Sequence, residues 1–483
     1  MSTARREASI DAVVVGAGPN GLAAAVTLAR AGLSVTVVEA AEQIGGGTRT
    51  AELTVPGVRH DICSAVHQLA ASSPFFGSLP LAEHGLEWRW PAVDLAHPLD
   101  GGAAVSMVRS IDDTVAELDG DGPAWRRTFG PLATRFEALA EELMQPLAHR
   151  PRHVVDLARF GRRGLLPATT LARRFRTEQA RALFAGSAAH LVAPLSAPAS
   201  ASAGVVLVAA CHHSGWPVAA GGSQAISTAL AGYLGSLGGT IETGVRITSF
   251  ADLPDAAVRL FDTTPGAFRD IAGEALPPRV RRAYRRWRHG PGAFKVDLAV
   301  EGGVPWLAPP CREAGVVHVG GSLAEIVAAE AAVARGEMPA RPFVLVAQQY
   351  LADPSRSAGD IHPIWAYAHV PNGYPHDATD AILDQIERFA PGLRDRIVGR
   401  HTTSPAGLEH DNPNYVGGDI AGGASGGRQL VVRPRLAPDP YFTGIPGVYL
   451  CSASTPPGAG VHGMSGYHAA RSALRYLERA PSA

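Results

Sequence analysis

Apolar residues run almost unbroken from Ile10 to Val15, give way to Gly16-Ala17-Gly18-Pro19-Asn20-Gly21, and return in an Ala/Leu-rich stretch to about Arg30. A second apolar run, residues 33–38, follows Ala31-Gly32 and ends in Glu39. The pattern predicts a strand, a glycine turn, a helix and a second strand closed by an acid. Residues 92–108 read as a strand pair around the turn signal Asp100-Gly101-Gly102. Residues 110–193 hold few β-branched runs and open with acids, as a helical zone does. A helix over 224–237, ended by Gly238-Gly239, leads into strands at 240–247 and 258–262. Residues 290–298 read as a loop feeding a strand. Residues 343–350 and 364–370 read as strands of a second sheet, with Trp365, Tyr367 and His369 on one face and Ile364, Ala366 and Ala368 on the other. Thr379 is placed to cap a helix over 380–389, and a last helix follows Gly463.

The first turn carries the chemistry. Gly16 permits the tight bend, Gly18 lets a pyrophosphate approach the backbone, and Gly21 lets the helix pack on the sheet. The helix N-terminus, with Pro19 and Asn20, faces the phosphates. Glu39 lies about 20 residues on, where a carboxylate accepts hydrogen bonds from ribose hydroxyls. A dinucleotide site is therefore predicted. A second glycine-rich loop, Gly45-Gly46-Gly47-Thr48-Arg49-Thr50, suits the far half of a longer, flavin-bearing cofactor, with Gly46, Gly47 and Arg49 as contacts.

With these two loops, the sequence resembles the phytoene desaturase-like branch of the FAD-dependent amine oxidase and desaturase superfamily. The similarity extends through Gly221-Gly222-Ser223 and Asn414-Tyr415-Val416-Gly417-Gly418-Asp419 to Gly458-Ala459-Gly460-Val461-His462-Gly463-Met464-Ser465-Gly466. The far end looks more like the branch containing pyridine nucleotide-disulfide oxidoreductase domain-containing protein 2 than like the carotenoid enzymes. The resemblance implies an α/β fold: a discontinuous, Rossmann-like FAD-binding domain of the glutathione reductase type (1–75, 222–275 and 428–483) and an α+β substrate domain of sheet and helices (76–221 and 276–427). It implies non-covalent FAD. It further implies that Val245 meets the adenine through its backbone, that Thr264, Ser454 and Val461 touch the cofactor, and that a helix start at Gly463-Met464 points at the flavin pyrimidine ring. Arg59, His60 and Asp61, near the second glycine loop, read as cofactor support rather than acid–base machinery. In flavin amine oxidases a strand lysine holds a water against flavin N5, and Lys295 stands in the comparable place. Lys295 is also the only lysine in the chain. A site needing a compact, titratable ammonium is where arginine does not serve. Lys295, His462 and Tyr415 are the catalytic candidates.

Composition narrows the partners. At 483 residues the chain exceeds a single ordinary core, and its net charge of −1 recruits no nucleic acid. No apolar run spans a bilayer, and residues 2–9 are polar, unlike a secretory signal. Cys63, Cys211, Cys311 and Cys451 are far apart, without metal or redox spacing, so a cytoplasmic protein with no metal is expected. Residues 150–176 set many arginines beside Leu, Val and Phe. That segment reads as a solvated helical surface or as a peripheral contact with anionic lipid. The expected function is an FAD-dependent oxidoreductase taking a hydride from an apolar or aromatic substrate. The alternatives are a flavin-bearing isomerase or non-catalytic partner protein, and, with less support, an NAD(P)-dependent dehydrogenase.

Overall fold

The computed structural model describes residues 10–147 and 149–479; the polar stretch 2–9 lies outside them. The strands of its two large sheets are, in chain order, β1 (Ile10–Val15), β2 (Val35–Val38), β3 (Val93–Pro98), β4 (Ala104–Met107), β5 (Thr240–Glu242), β6 (Ala256–Phe261), β7 (Gly292–Glu301), β8 (Ala314–Val319), β9 (Val344–Ala347), β10 (Ile361–Val370), β11 (Ile397–Thr403) and β12 (Val448–Leu450). The helices that matter most here are α1 (Pro19–Arg30), α2 (Glu178–Ala189), α3 (Ala201–Ser214), α4 (Gln224–Ser236) and α5 (Met464–Leu477).

The first sheet is parallel throughout, in the order β12-β6-β1-β2-β5. Ala12, Val13 and Val14 are fully buried, as the strand of a sheet covered on both faces should be. Gly18 is extended, and Pro19 sits in the first turn of α1, where a missing N–H costs nothing. Helix α5 returns from the far end of the chain to pack on α1. The approach is so close that a Cβ on Gly466 would lie 1.8 Å from the Asn20 carbonyl oxygen. The strand expected over 240–247 stops at Glu242. Gly244 (φ +72°) turns the chain back, so that Val245 N–H donates to the Glu39 carbonyl at 2.8 Å.

The second sheet has the order β11-β7-β10-β9-β8-β3-β4, antiparallel except between β8 and β3. Its register sorts the side chains cleanly. Phe294, Val296, Leu298, Ile364, Ala366 and Val346 form an outer apolar face under the helix Thr379–Glu387. Thr379 does not cap that helix with its hydroxyl; its N–H donates instead to the Asp377 carboxylate at 2.8 Å. The inner face carries Lys295, Asp297, Trp365, Tyr367, His369 and His318, and α2 covers part of it. Among the described residues no helix is long and apolar enough to cross a membrane.

Candidate functional site

A cavity of ≈ 590 Å³ runs from the two glycine turns of the first sheet to the inner face of the second. At its first end Gly16 adopts φ +102°, and Gly18 and Gly46 touch: a Cβ on Gly46 would lie 3.2 Å from Gly18 Cα. Gly16, Gly18, Pro19 and Asn20 all line the wall. Gly21 does not. It lies behind, where a Cβ would meet the Gly16 carbonyl oxygen at 1.9 Å, so its role is packing. The Glu39 carboxylate reaches back over the turn and accepts N–H bonds from Ala17 (2.6 Å) and Ala41 (2.9 Å).

Asp262, at the end of β6, carries no earlier expectation. It lines the same end of the cavity and accepts from Gly21 N–H at 3.0 Å. Burial pushes its carboxyl up to about 7, and the nearby Glu39 charge adds to the effect.

The second glycine loop forms the opposite wall. Gly46, Gly47 and Arg49 line it, as do Val245 and Thr264 from the first sheet's edge loops. The Arg49 guanidinium donates only to carbonyls here, those of Gly46 (3.0 Å) and Asp411 (2.8 Å). Among the described residues no carboxylate pairs with it, so its charge is available to an anionic ligand. Thr264 caps the helix Pro265–Ala272 through Ala267 N–H. Tyr415 lines the cavity and stands over Gly47, where a Cβ would lie 2.1 Å from its hydroxyl. Burial raises its pKa well above the ordinary value, with the adjacent Cys63 contributing.

Lys295 is buried on the inner face, one side chain behind this wall. Its charge reaches Cys63, where it offsets part of the burial that raises the thiol's pKa. Its ammonium pairs with Asp297. Asp297 in turn faces His60 Nδ1 at 3.5 Å, and His60 Nε2 meets the Thr54 hydroxyl at 2.8 Å. The neighbouring Asp61 is the other buried hub. Burial opposes its ionisation, but the Arg356 charge and the Ser223 N–H outweigh that and hold its pKa below the usual range.

At the C-terminal end, Ser454 and Val461 line the cavity. Gly463, Met464 and His462 do not. Gly463 (φ +69°) is packed against Phe76 and Ala23, and His462 Nδ1 accepts the Met464 N–H at 3.0 Å. Burial lowers His462 to about 4, which keeps the ring neutral and able to accept. His462 thus caps the start of α5 from behind the wall, and the loop Ala459-Gly460-Val461 presents the cavity surface that the sequence had assigned to the helix end.

The substrate half of the cavity is made from parts the sequence does not bring together. Trp365 and Tyr367 of β10 were visible as one face. His190 and Val192 beyond α2, and Trp216 beyond α3, join them only through the fold. His212, next to His213 in sequence, is structural: Trp125 N–H donates to its Nε2 at 2.9 Å, and Nδ1 meets the Val108 carbonyl at 3.0 Å.

The profile of the NAD(P)-binding Rossmann-like domain family matches residues 14–76. The chain is 24% identical to the mouse (Mus musculus) pyridine nucleotide-disulfide oxidoreductase domain-containing protein 2, over 98% of this chain and 95% of that one. It is 27% identical to the hydroxyneurosporene desaturase of Rhodobacter capsulatus, over 96% and 97%. A structure of putrescine oxidase bound to putrescine shares its fold at a TM-score of 0.59 and 17% identity, covering 98% of this chain and all of that one. With a glycine-turn sheet, a second sheet facing it across one cavity, and similarity along nearly the whole length to these oxidoreductase and desaturase relatives, the chain is similar to proteins of the phytoene desaturase-like and amine oxidase superfamily and shares the fold of putrescine oxidase.

Proposed function

We propose that this protein is an FAD-dependent oxidoreductase that removes a hydride from an apolar or aromatic organic substrate, as a dehydrogenase, desaturase or oxidase. The observation that carries the reading is the single cavity joining the glycine turns to an aromatic chamber. The residues present fit FAD held without a covalent link. Gly16, Gly18, Gly46 and Gly47 present bare backbone on the cavity wall, in turns so closely packed against Asp262, one another and Tyr415 that a Cβ would not fit, and among the described residues no carboxylate pairs with Arg49, whose charge would be free for a pyrophosphate. Glu39, which accepts N–H bonds from Ala17 and Ala41, would accept from ribose hydroxyls, and Val245, on the cavity wall, would hold the adenine. Flavin, when bound, supplies the hydride acceptor. The chain supplies the rest. Trp365 and Tyr367 exclude water and pack the substrate, and Tyr415 closes the wall between the second glycine loop and the chamber. Lys295, behind the wall and paired with Asp297, which His60 faces, would hold a proton or a water toward the flavin. His462 acts through the start of α5, as a positioning residue.

Four free, buried cysteines accord with a reducing, cytoplasmic setting. One surface favours peripheral membrane contact: Leu147, Val154, Val155 and Leu165 are 61–68% exposed beside Arg150, Arg152, Arg159 and Arg162. Such a surface fits anionic lipid. Sedimentation with anionic vesicles that falls steeply with salt is the expected result, and no binding at low salt refutes the contact.

The test of the main reading is anaerobic mixing of the purified protein with candidate alcohols, amines and polyenes, followed by reoxidation with oxygen or a quinone. Bleaching of the flavin by a substrate and its return with an acceptor is expected. A flavin that no substrate reduces, in a protein that rearranges a double bond without net oxidation, would instead establish an isomerase.

A further inference from the structure

The chamber between the sheets is apolar and aromatic on most sides, with Val316, Leu345, Ala347 and Trp216 on its wall. One imidazole, His190, interrupts it. It stands at the C-terminal end of α2, and the chain beyond it is strained. Val192, two residues on and also on the wall, has φ +56°. A β-branched residue in that region is an outlier, and such strain persists only where the surroundings enforce it. Here Val192 N–H donates to the Ala189 carbonyl at 2.8 Å, which closes the turn that sets His190 at the cavity.

His190 Nε2 lies 3.0 Å from His318 Nε2. His318 is fully buried on the inner face, packed on Trp216 and Phe343. Among the described residues its Nδ1 has no hydrogen-bond partner, and it lies against Gly186, 2.6 Å from where a Cβ would be. Burial keeps both rings neutral, His190 at about 3 and His318 well below its ordinary value. Two neutral rings share one N–H between their Nε2 atoms. If His190 supplied it, His318 would carry its own proton on Nδ1, a buried donor with no acceptor. If His318 supplies it, its Nδ1 is a bare acceptor, and His190 carries its proton on Nδ1. Orphaned buried donors are the rarer fault. The second arrangement is favoured, and it leaves His190 Nδ1–H as an imidazole donor free for the cavity, beside the indole N–H of Trp365, which is likewise buried without a partner among the described residues.

We infer that His190 is a specificity-determining residue: the chamber takes an apolar or aromatic molecule bearing one uncharged oxygen acceptor, a carbonyl or hydroxyl, which His190 Nδ1–H meets. The inference rests on the flavin reading above and names the substrate class of that same site. An unfilled donor in a dry chamber disfavours the wholly apolar analogue, while a neutral ring gives no ion-pair advantage to a carboxylate.

The experiment uses the flavin-loaded protein and two probes of nearly equal size, benzophenone and diphenylmethane, which differ by the carbonyl. Binding is read from the perturbed flavin absorbance. Benzophenone is expected to bind about tenfold more tightly, the equivalent of one hydrogen bond in a dry site. His190→Phe should bring the two affinities within about twofold while keeping flavin content and spectrum, and His190→Gln, which keeps a donor, should retain a preference. Equal affinities in the wild-type protein, no binding of either probe, or an unchanged preference in His190→Phe would each overturn the assignment. Flavin content is measured first: a loaded protein without discrimination refutes only the role of His190, whereas a protein that takes up no flavin removes the functional reading and this inference together.

Discussion

The two faces of the second sheet are built from the same strands and do opposite work. Along β7, Phe294, Val296 and Leu298 point outward into a dry core, while Lys295 and Asp297 point inward. The outer side chains need only shape and hydrophobicity, and neighbours in the sheet and one helix supply both. The inner ones are polar groups with almost no exposure, so each requires a specific partner. Those partners come from far away: His60 for Asp297, His190 for His318, and Glu330, at 2.8 Å, for His369. Alternation along a strand therefore reveals which face is which. It does not reveal what an inner group meets.

The sharpest way to break this contrast is to remove a partner. Arg356→Met leaves the fully buried Asp61 without its main counter-charge and should cost about 3–5 kcal/mol, seen as a large fall in Tm or loss of soluble protein. A Tm near that of the wild type would show that the buried network is not needed for folding. On the outer face, Leu298→Ala should cost about 2–5 kcal/mol by leaving a cavity, yet leave the flavin spectrum and half-reaction rates unchanged. An altered flavin spectrum would mean that the two faces are not separate in function.

Inner-face chemistry is tested at Lys295. Since Lys295→Met alone strands Asp297, the double variant Lys295→Met/Asp297→Asn removes both charges and keeps the burial balanced. It should fold and hold flavin but slow reduction or reoxidation by on the order of 100-fold, and Lys295→Arg should not restore the rate. Normal rates in both half-reactions would confine Lys295 to a structural ion pair. The smallest effect is expected at Asp262. Its native pKa is raised to about 7 by burial, so the stability it contributes is complete below the usual carboxylate pKa and is lost as pH rises through about 7. The Tm of the flavin-free protein should decline across that window, and Asp262→Asn should flatten the decline. An identical pH profile in the variant would remove Asp262 as its source.

Much of this was legible from residue order alone. Gly16 to Glu39 announces its own fold because strand, turn, helix and acid are local, and the alternation of Trp365, Tyr367 and His369 gives the inner face directly. The last helix was legible, but not the role of its start. His462 stands next to Gly463 in sequence, yet its ring turns to accept the Met464 N–H and leaves the cavity wall to Ala459-Gly460-Val461. Hydropathy continues the strand through the short turn at Gly244, because the pattern stays apolar at Val245 and Ile247 and the positive φ that ends the strand leaves no mark in it. Asp262 gave only the signal of an acid closing a strand. His190, at the end of a helix, gave none: its meaning depends on His318, 128 residues away.

The central claim is that the cavity joining the glycine turns to the inner face holds FAD. The most direct measurement is chromatographic identification of whatever heat releases from the purified protein, with Glu39→Ala measured alongside for affinity. One FAD per chain, bound without a covalent link, and a Glu39→Ala variant weakened by about 1.5–3 kcal/mol for each ribose hydrogen bond lost, is the predicted result. A colourless protein that takes up a nicotinamide dinucleotide instead would contradict the account.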